Sequence, residues 1–374
     1  MQKLGDYIKE YSARNKQNED IPVYSVTNSI GFCRDYFDKE VASSNKKTYK
    51  IVPRNAFAYN PSRINVGSVD YQHYEDRVIV SPLYNVFTVD ERVVSEYLYF
   101  YLKNPNTIKR IKTVASGSVR DNLKLSMLYE FPISLPSVSD QKTIVKTINK
   151  VQAVIDSKKS ALEKFDNLIK ARFVEMFGNV VINDKGWPTK PMSNVAPASS
   201  PKITIGENIW LLNLDMIESQ SGKVLKKLIV SKDKINASTC AFDNKNVLYS
   251  KLRPYLNKVV LPDQDGYCTT ELVPLKPNNE LKREFLATLL RSDEFVGYIN
   301  EKTAGAKMPR VSMNNFRQFE CILPPITLQE QFSKFYKQVD KSKFALGNEL
   351  AMGNFYIRLI NDRIMHGCID LRVT

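Results

Sequence analysis

Residues 137–179 read SVSDQKTIVKTINKVQAVIDSKKSALEKFDNLIKARFVEMFGN, and their apolar side chains recur at alternating spacings of four and three residues, with Lys158 and Arg172 in the two gaps. An average period of 3.5 residues is typical of a coiled-coil seam. Ser139 is expected to cap the helix and Gly178 to end it. A helix of about 38 residues would be roughly 57 Å long. The segment therefore predicts a rod with an apolar seam, formed by Ile144, Ile148, Val151, Ile155, Leu162, Phe165 and Ile169.

A second segment with the same spacing begins near Thr327, where residues 327–330 form a predicted capping box. Because an apolar seam on an exposed helix requires a partner, we expect the two helices to pair in antiparallel orientation within the chain. In the alternative, each helix packs on its own domain as an ordinary amphipathic helix. The second seam consists of Phe332, Phe335, Val339 and Leu346.

The whole chain repeats at an offset of 188 residues. EYLYFYL, which begins at Glu96, matches EFLATLL, which begins at Glu284, and the same shift superposes Gly117 on Gly305. A two-residue insertion brings FAYNPSR onto VLYSKLR further upstream. The shared order of these matches predicts a duplicated domain, followed each time by a long helix.

Each repeat begins with short alternating segments and then has a helical segment, an order that predicts a mixed domain. We therefore predict an α+β protein with two similar mixed α/β domains, separated by two long helices that form an antiparallel coiled coil with pseudo-twofold symmetry. The predicted boundaries are 1–136 for the first domain, 137–179 for the central helix, 180–325 for the second domain and 326–374 for the distal helix.

The composition favours a polyanionic partner. The chain has 54 Lys and Arg against 40 Asp and Glu, which gives a net charge of +14. No run approaches the roughly 20 apolar residues of a membrane span, so we expect a cytoplasmic protein without membrane contact. Its five cysteines are far apart and it has two histidines, so no metal site and no disulfide framework are expected.

The two helical segments resemble a known family. LPSVSDQKTIVKTINKVQAVIDSKKSALEKFDNLIKARFVEMFG, residues 135–178, resembles the central spacer of the specificity subunits of type I restriction–modification systems. LPPITLQEQFSKFYKQVDKSKFAL, residues 323–346, resembles their distal spacer. The resemblance covers the order of parts along the whole chain, in which 1–136 and 180–325 would be target recognition domains.

The resemblance implies a non-catalytic subunit that binds double-stranded DNA at a bipartite, asymmetric sequence with an unspecified gap. It implies two methylation subunits, which use S-adenosylmethionine to methylate adenine, and two restriction subunits, which use ATP to translocate and cleave DNA. S-adenosylmethionine, ATP and Mg²⁺ are expected on those partners, and no cofactor is expected in this chain. The helices would serve as a ruler and as a docking surface for the methylation subunits.

Two other classes of function remain as alternatives. The chain has no GxxxxGK[ST] phosphate loop and no NPPY-like tetrapeptide. A stand-alone Mg²⁺-dependent nuclease would have to use Asp263, Glu280 and Lys282, a loose pattern of two carboxylates and a lysine. The third reading is a coiled-coil scaffold whose basic charge is incidental. His73 is expected to be a loop residue or a neighbour of DNA phosphate.

Two pairs of repeated segments are candidates for DNA contact. Small residues in the loops 115–127 and 303–313 allow close approach of the backbone to phosphate, and their cations supply charge. Arginine also reads guanine through two hydrogen bonds. In the segments 57–63 and 247–253 the tyrosines are equally consistent with a core position. The candidates are Ser116, Gly117, Ser118, Arg120, Lys124, Tyr59 and Arg63 in the first repeat, and Gly305, Lys307, Arg310, Tyr249 and Arg253 in the second.

Overall fold

The computed structural model describes residues 2–34, 45–115, 122–203, 206–304 and 308–366. The chain forms two compact units, the first comprising Met1–Ser157 with Glu349–Thr374 and the second Lys158–Asn348. Each unit therefore contains a part of both long helices in addition to the domain that the sequence analysis delimited. No helix in the described ranges is both long enough and apolar enough to cross a membrane.

The first unit is a mixed α+β fold. Its main sheet has the order β2-β9-β6-β7 with every neighbouring pair antiparallel, and two further antiparallel pairs are β3 with β4 and β5 with β8. The elements in chain order are β1 (Gln2–Lys3), β2 (Ile8–Glu10), β3 (Ser25–Thr27), β4 (Gly31–Cys33), β5 (Lys50–Pro53), β6 (Phe57–Tyr59), β7 (Val69–Tyr71), β8 (Arg77–Val80), β9 (Asn85–Val89), α1 (Ser95–Lys103), α2 (Pro105–Ala115), α3 (Leu125–Tyr129), β10 (Pro132–Ile133) and α4 (Val138–Phe177).

Strand β6 lies between β9 and β7 in this sheet, and its side chains are buried on both faces. Phe57 lies opposite Phe87 of β9, and their rings stack with centroids 5.0 Å apart. Such cross-strand aromatic pairs stabilise a sheet beyond the area that they bury. Helix α1 packs Tyr97, Leu98 and Tyr101 into the same core.

The second unit repeats this plan with a larger set of strands. Its sheets have the orders β13-β12-β17-β14 and β16-β15-β18. The elements in chain order are β11 (Thr189–Pro191), α5 (Met192–Val195), β12 (Ile209–Leu212), β13 (Leu228–Val230), β14 (Thr239–Phe242), β15 (Val247–Ser250), β16 (Val259–Val260), β17 (Gly266–Thr269), β18 (Leu272–Leu275), α6 (Arg283–Arg291), α7 (Asp293–Glu301), β19 (Thr303–Ala304), β20 (Arg310–Val311), α8 (Met313–Arg317), β21 (Glu320–Ile322) and α9 (Ile326–His366).

The duplication predicted from the sequence is confirmed at the level of strand register. In the first unit Gln2 lies opposite Ile133, and in the second Lys190 lies opposite Cys321, so both partners shift by the same 188 positions. Helices α1 and α6, α3 and α8, and α4 and α9 also begin at residues separated by that offset. One backbone plan therefore occurs twice, although few side chains are shared.

The ends of the long helices differ in part from the prediction. Ser137, not Ser139, caps α4, because its hydroxyl accepts a hydrogen bond from the backbone N–H of Asp140 at 3.2 Å. The predicted stop at Gly178 is confirmed, since this residue has φ +75°. Helix α9 begins before Thr327, and the carbonyl of Pro325 accepts its first backbone hydrogen bonds, so the predicted capping box does not start this helix.

The antiparallel pairing of α4 and α9 is confirmed by contacts within each unit. In the first unit, a Cβ added at Gly353 would lie 3.0 Å from Ile155. In the second unit, Lys343 pairs with Asp166, and the Phe173 and Phe332 rings lie 5.4 Å apart. Across these three contacts the residue number on α4 rises from 155 to 166 to 173, while the number of its partner on α9 falls from 353 to 343 to 332. This order defines the antiparallel orientation.

The predicted seam residues are all buried or half-buried, but they do not contact only the other long helix. Ile144 and Ile148 lie in the core of the first unit, and Phe332 and Val339 lie in the core of the second. The two interpretations of the helices are therefore both correct in part, because each helix pairs with the other and also packs on a domain. The remaining seam residues are buried at Ile155 and Ile169, and half-buried at Val151, Leu162, Phe165, Phe335 and Leu346.

Candidate nucleic-acid interface

Helix α4 is fixed to the first unit by Gln141, which is fully buried. Its side-chain amide donates to the carbonyls of Arg92 and Pro136 at 2.8 and 3.0 Å and accepts a hydrogen bond from the N–H of Val94 at 2.8 Å. One side chain thus joins the chain before α1 to the chain before α4. The sequence analysis missed this residue.

Helix α9 is fixed to the second unit by Gln329 through the same three bonds. This fully buried amide donates to the carbonyls of Glu280 and Pro324 at 3.0 and 2.8 Å and accepts from the N–H of Lys282 at 2.9 Å. Each partner lies 188 positions after its counterpart in the first unit. A glutamine at the fourth position of both long helices was the sequence signal that could have revealed this role.

The candidate loops lie partly outside the described residues. The candidate residues outside the described ranges are Ser116, Gly117, Ser118, Arg120, Gly305 and Lys307. Lys124 is described and lies exposed immediately before α3. The described part of each loop is therefore the end at which the loop joins the rest of its unit.

The two segments nominated separately in the first repeat are neighbours in the structure. The N–H of Leu123 donates to the carbonyl of Pro61 at 3.1 Å, and the Tyr59 hydroxyl donates to the carbonyl of Leu123 at 3.1 Å. Arg63, which is exposed, lies two residues beyond this junction. The junction places Arg63 and Lys124 at the edge of one surface, which we call the first loop junction.

The second repeat joins its segments at the corresponding position. The N–H of Val311 donates to the carbonyl of Lys251 at 2.8 Å, and the N–H of Arg253 donates to the carbonyl of Pro309 at 2.8 Å. Arg253 has φ +49°, an unusual left-handed conformation for a large side chain. Arg253 and Arg310 therefore belong to one surface, the second loop junction.

The two arginines of the second loop junction differ in their partners. Arg310 forms an ion pair with Glu271 at 2.9 Å, and its side chain is 59% exposed. Arg253 is half-buried, and within the described part of the chain its Nε has no hydrogen-bond partner. Because the Arg310 side chain is largely exposed while that of Glu271 is 26% exposed, the free edge of the Arg310 guanidinium is accessible to a second anion.

The two candidate tyrosines are core residues and do not reach the surface. Tyr59 is fully buried and accepts a hydrogen bond from Asn85, and Tyr249 stacks on Phe316 with ring centroids 4.8 Å apart. Burial raises the pKa of both phenols. Of the two alternatives left open for these positions, the structure gives the core position. The Tyr59 hydroxyl bonds to the first loop junction from inside, and the Tyr249 ring packs against Phe295 and Phe316 of α7 and α8.

The predicted loop position of His73 is confirmed, because this exposed residue lies between β7 and β8, but its aromatic neighbours were not singled out from the sequence. His73 stacks between Tyr71 and Tyr74, with ring centroids 4.9 and 4.1 Å away, and Tyr74 is 50% exposed. Fully buried Gln72 holds this loop, since its side-chain amide oxygen accepts hydrogen bonds from the backbone N–H groups of Tyr74 and Glu75 at 2.7 and 3.1 Å. A rigid loop that presents exposed rings is a common arrangement at binding surfaces.

The three residues of the nuclease alternative each form an ion pair with a different partner. Asp263 pairs with Lys227 at 2.8 Å, Glu280 with Lys190 at 2.7 Å, and Lys282 with Glu330 at 2.7 Å. The described ranges also contain no group of three or more His, Cys, Asp or Glu side chains arranged to hold a metal ion. This arrangement gives the nuclease reading no support.

The chain is thus a duplicated protein. It has two similar α+β units, a pair of antiparallel long helices and one loop junction in each unit. The chain belongs to the family described as type I restriction modification DNA specificity domain, whose model matches residues 4–166 and 217–351. Both repeats are therefore included in the match.

Known relatives agree with this assignment. The chain is 22% identical over 303 residues to the type I restriction enzyme EcoDI specificity subunit of Escherichia coli. The aligned region covers 70% of this chain and 67% of that protein. The chain is also 24% identical over 271 residues to the type I restriction enzyme MjaIX specificity subunit of Methanocaldococcus jannaschii. That alignment covers 64% of this chain and 61% of the relative.

Solved structures share the fold along nearly the whole chain. The S subunit of a type I restriction–modification system from M. genitalium gives a TM-score of 0.56 at 13% identity, covering 97% of this chain and 95% of that one. A chain from a structure of complex assembly and conformational transition in a type I system gives 0.57 at 14% identity, covering 98% and 97%. At these identities the likeness establishes the fold.

Proposed function

We propose that this chain is the DNA sequence-recognition subunit of a type I restriction–modification system and that each unit reads one half of a bipartite, asymmetric target. The observation that carries the proposal is the loop junction, which occurs in both units with the same backbone hydrogen bond. Pro61 and Leu123 form it in the first unit, and Lys251 and Val311 in the second. A duplicated framework with different side chains at its rim is suited to reading two different sequences.

The charge of the chain supports DNA as the ligand. The excess of 14 positive charges favours phosphate, which supplies a large, salt-dependent part of the affinity for DNA. Arg310 supplies an exposed guanidinium whose free edge can bind a phosphate or the edge of a guanine. Arg63 provides an exposed guanidinium at the first loop junction.

The names of the relatives, specificity subunits of type I restriction enzymes, support a proposal about the partners. We propose that this chain assembles with two methylation subunits and two restriction subunits. S-adenosylmethionine, ATP and Mg²⁺ would be bound by those partners, and this chain would direct adenine methylation and DNA cleavage without carrying out either reaction. The paired helices α4 and α9 would fix the length of the unspecified gap.

The test is methylome sequencing of cells that express this chain with its methylation subunit. We expect adenine methylation at one bipartite motif, and we expect Arg310→Ala to relax or abolish recognition of one half while the other half is retained. Loss of a base contact costs about 1–3 kcal/mol. Arg317→Ala serves as the matched control, because this exposed arginine lies on α8 outside the loop junction.

Two outcomes would contradict the proposal. Methylation at a continuous motif without a gap would mean that the two units do not read separate half-sites. Nicking of plasmid DNA by the purified chain with Mg²⁺ alone would mean that the chain is itself an enzyme. An unchanged motif with Arg310→Ala would remove the second loop junction from the reading surface but not the proposed class of protein.

A further inference from the structure

Two cysteines of the second unit lie directly opposite each other on neighbouring strands. Cys240 of β14 is the register partner of Cys268 of β17 in an antiparallel pair. Directly opposed residues present their side chains on the same face, with Cα atoms about 4.5–5.5 Å apart. That separation lies within the range of about 4.4–6.8 Å that a disulfide spans.

The two thiols share one hydrogen-bond acceptor. Each donates to the carbonyl of Leu272, with the sulfur of Cys240 at 4.0 Å and that of Cys268 at 3.8 Å. Their side chains therefore converge on one point beside the start of β18. They differ in accessibility, because Cys268 is fully buried, whereas Cys240 is half-buried on the terminal strand of the sheet order β13-β12-β17-β14.

We propose that Cys240 and Cys268 form a redox-reactive dithiol that closes to a reversible intramolecular disulfide when the protein meets a low-molecular-weight disulfide such as oxidised glutathione. The Cys240 thiolate attacks one sulfur of oxidised glutathione, forms a mixed disulfide and releases one glutathione thiolate. The Cys268 thiol then loses its proton to solvent and attacks the Cys240 sulfur, which releases the second glutathione thiolate. In total, two protein thiols lose two electrons and two protons, and one oxidised glutathione becomes two reduced molecules.

The electrostatic environment agrees with this order of events. The Cys268 thiol, which can donate to the Cys240 sulfur in place of the Leu272 carbonyl, and the positive charge of Lys251 lower the pKa of the Cys240 thiol to about 7. The same hydrogen bond and burial raise the pKa of Cys268. The more exposed thiol is thus also the one that forms the thiolate, which is the attacking species. Cys321 offers a contrast, since burial raises the pKa of its thiol to about 12 and its register partner is Lys190.

The experiment treats the full chain with oxidised glutathione, blocks the remaining thiols by alkylation and maps the cysteines by mass spectrometry. We expect the peptides of Cys240 and Cys268 to be linked, with a loss of two hydrogen atoms, and we expect dithiothreitol to restore both thiols. A stable glutathione adduct on Cys240 beside an alkylated Cys268 would overturn the proposal. So would recovery of both residues as alkylated thiols.

Single variants separate the two roles. Cys268→Ser should accumulate the glutathione adduct on Cys240, because no second thiol is present to release it, whereas Cys240→Ser should leave Cys268 unmodified. Cys33→Ser is the matched control, since Cys33 is also a half-buried strand cysteine, and it should form the disulfide at the rate of the unaltered chain. If a serine variant does not fold, the linkage map of the unaltered chain still decides the proposal.

Discussion

Replacing Gln329 by alanine should destabilise the second unit by about 3 kcal/mol. The side chain is fully buried and makes three hydrogen bonds to backbone groups of Glu280, Lys282 and Pro324. Each such bond contributes about 1 kcal/mol, and a buried group left without its partner costs about 1–3 kcal/mol. Truncation removes the partner of all three groups at once, so the effect should exceed that of an ordinary surface substitution several-fold.

Urea unfolding followed by tryptophan fluorescence measures this effect in the second unit. Both tryptophans of the chain, Trp187 and Trp210, belong to that unit. With a slope of about 1–3 kcal/mol per molar urea, a loss of 3 kcal/mol should lower the transition midpoint by about 1–3 M. Gln331→Ala is the matched control, because Gln331 lies two residues further along α9 and is exposed. Its midpoint should change by less than about 0.5 M, because surface substitutions usually change stability by no more than about 0.5 kcal/mol.

A second variant separates shape from hydrogen bonding. Gln329→Glu conserves the volume of the side chain but, when ionised, has no donor for the carbonyls of Glu280 and Pro324. We expect it to be at least as destabilising as Gln329→Ala. A midpoint for either variant that is indistinguishable from that of Gln331→Ala would refute the idea that this amide holds α9 to the unit.

Four further changes test other parts of the structure. Phe173→Ala should cost the second unit about 3–5 kcal/mol by the same urea assay, because the ring is almost fully buried between α9 and α6; a loss below about 1 kcal/mol would contradict this packing. Gly178→Ala should cost about 1–2 kcal/mol or more, because φ is +75° and the added Cβ would lie 2.1 Å from the Asp184 carboxylate; an unchanged midpoint would argue against the helix stop. Deletion of one heptad from α4 shortens the helix by about 10 Å and should alter the gap between methylated half-sites or abolish assembly, whereas normal methylation of the original motif would exclude the ruler role. Alkylation of Cys240 should show a midpoint near pH 7 that moves upward in Cys268→Ser, and a profile unaffected by that change would separate the two thiols.

The duplication and the paired helices could be predicted because their signals are local or periodic. The seam of α4 recurs every three or four residues, and the repeat preserves its offset across helices and strands alike. The end of α4 at Gly178 was predictable for the same reason, since a glycine after the last apolar position favours a left-handed stop. The start was displaced from Ser139 to Ser137, because two serines two residues apart offer equivalent caps and only the backbone geometry selects one.

The candidate surface was predictable as separate segments but not as a junction. Nothing in the spacing of residues along the chain indicates that the carbonyl of Pro61 meets the N–H of Leu123, since these residues are more than 60 positions apart in the sequence. The same limit explains why the tyrosines at positions 59 and 249 were ambiguous. A tyrosine suits a core and a binding surface equally well until its neighbours are known.

By itself, the sequence determined that the chain contains one domain plan twice and two long helices with complementary seams, because repetition and helical periodicity are properties of residue order. Only the tertiary structure decided which charges are matched. It pairs Arg310 with Glu271 and Asp263 with Lys227, residues separated by 39 and 36 positions. Ion pairs depend on distances across the folded chain. The fold therefore gives Asp263 a lysine partner and also brings Arg253 and Arg310 of the second loop junction to one surface.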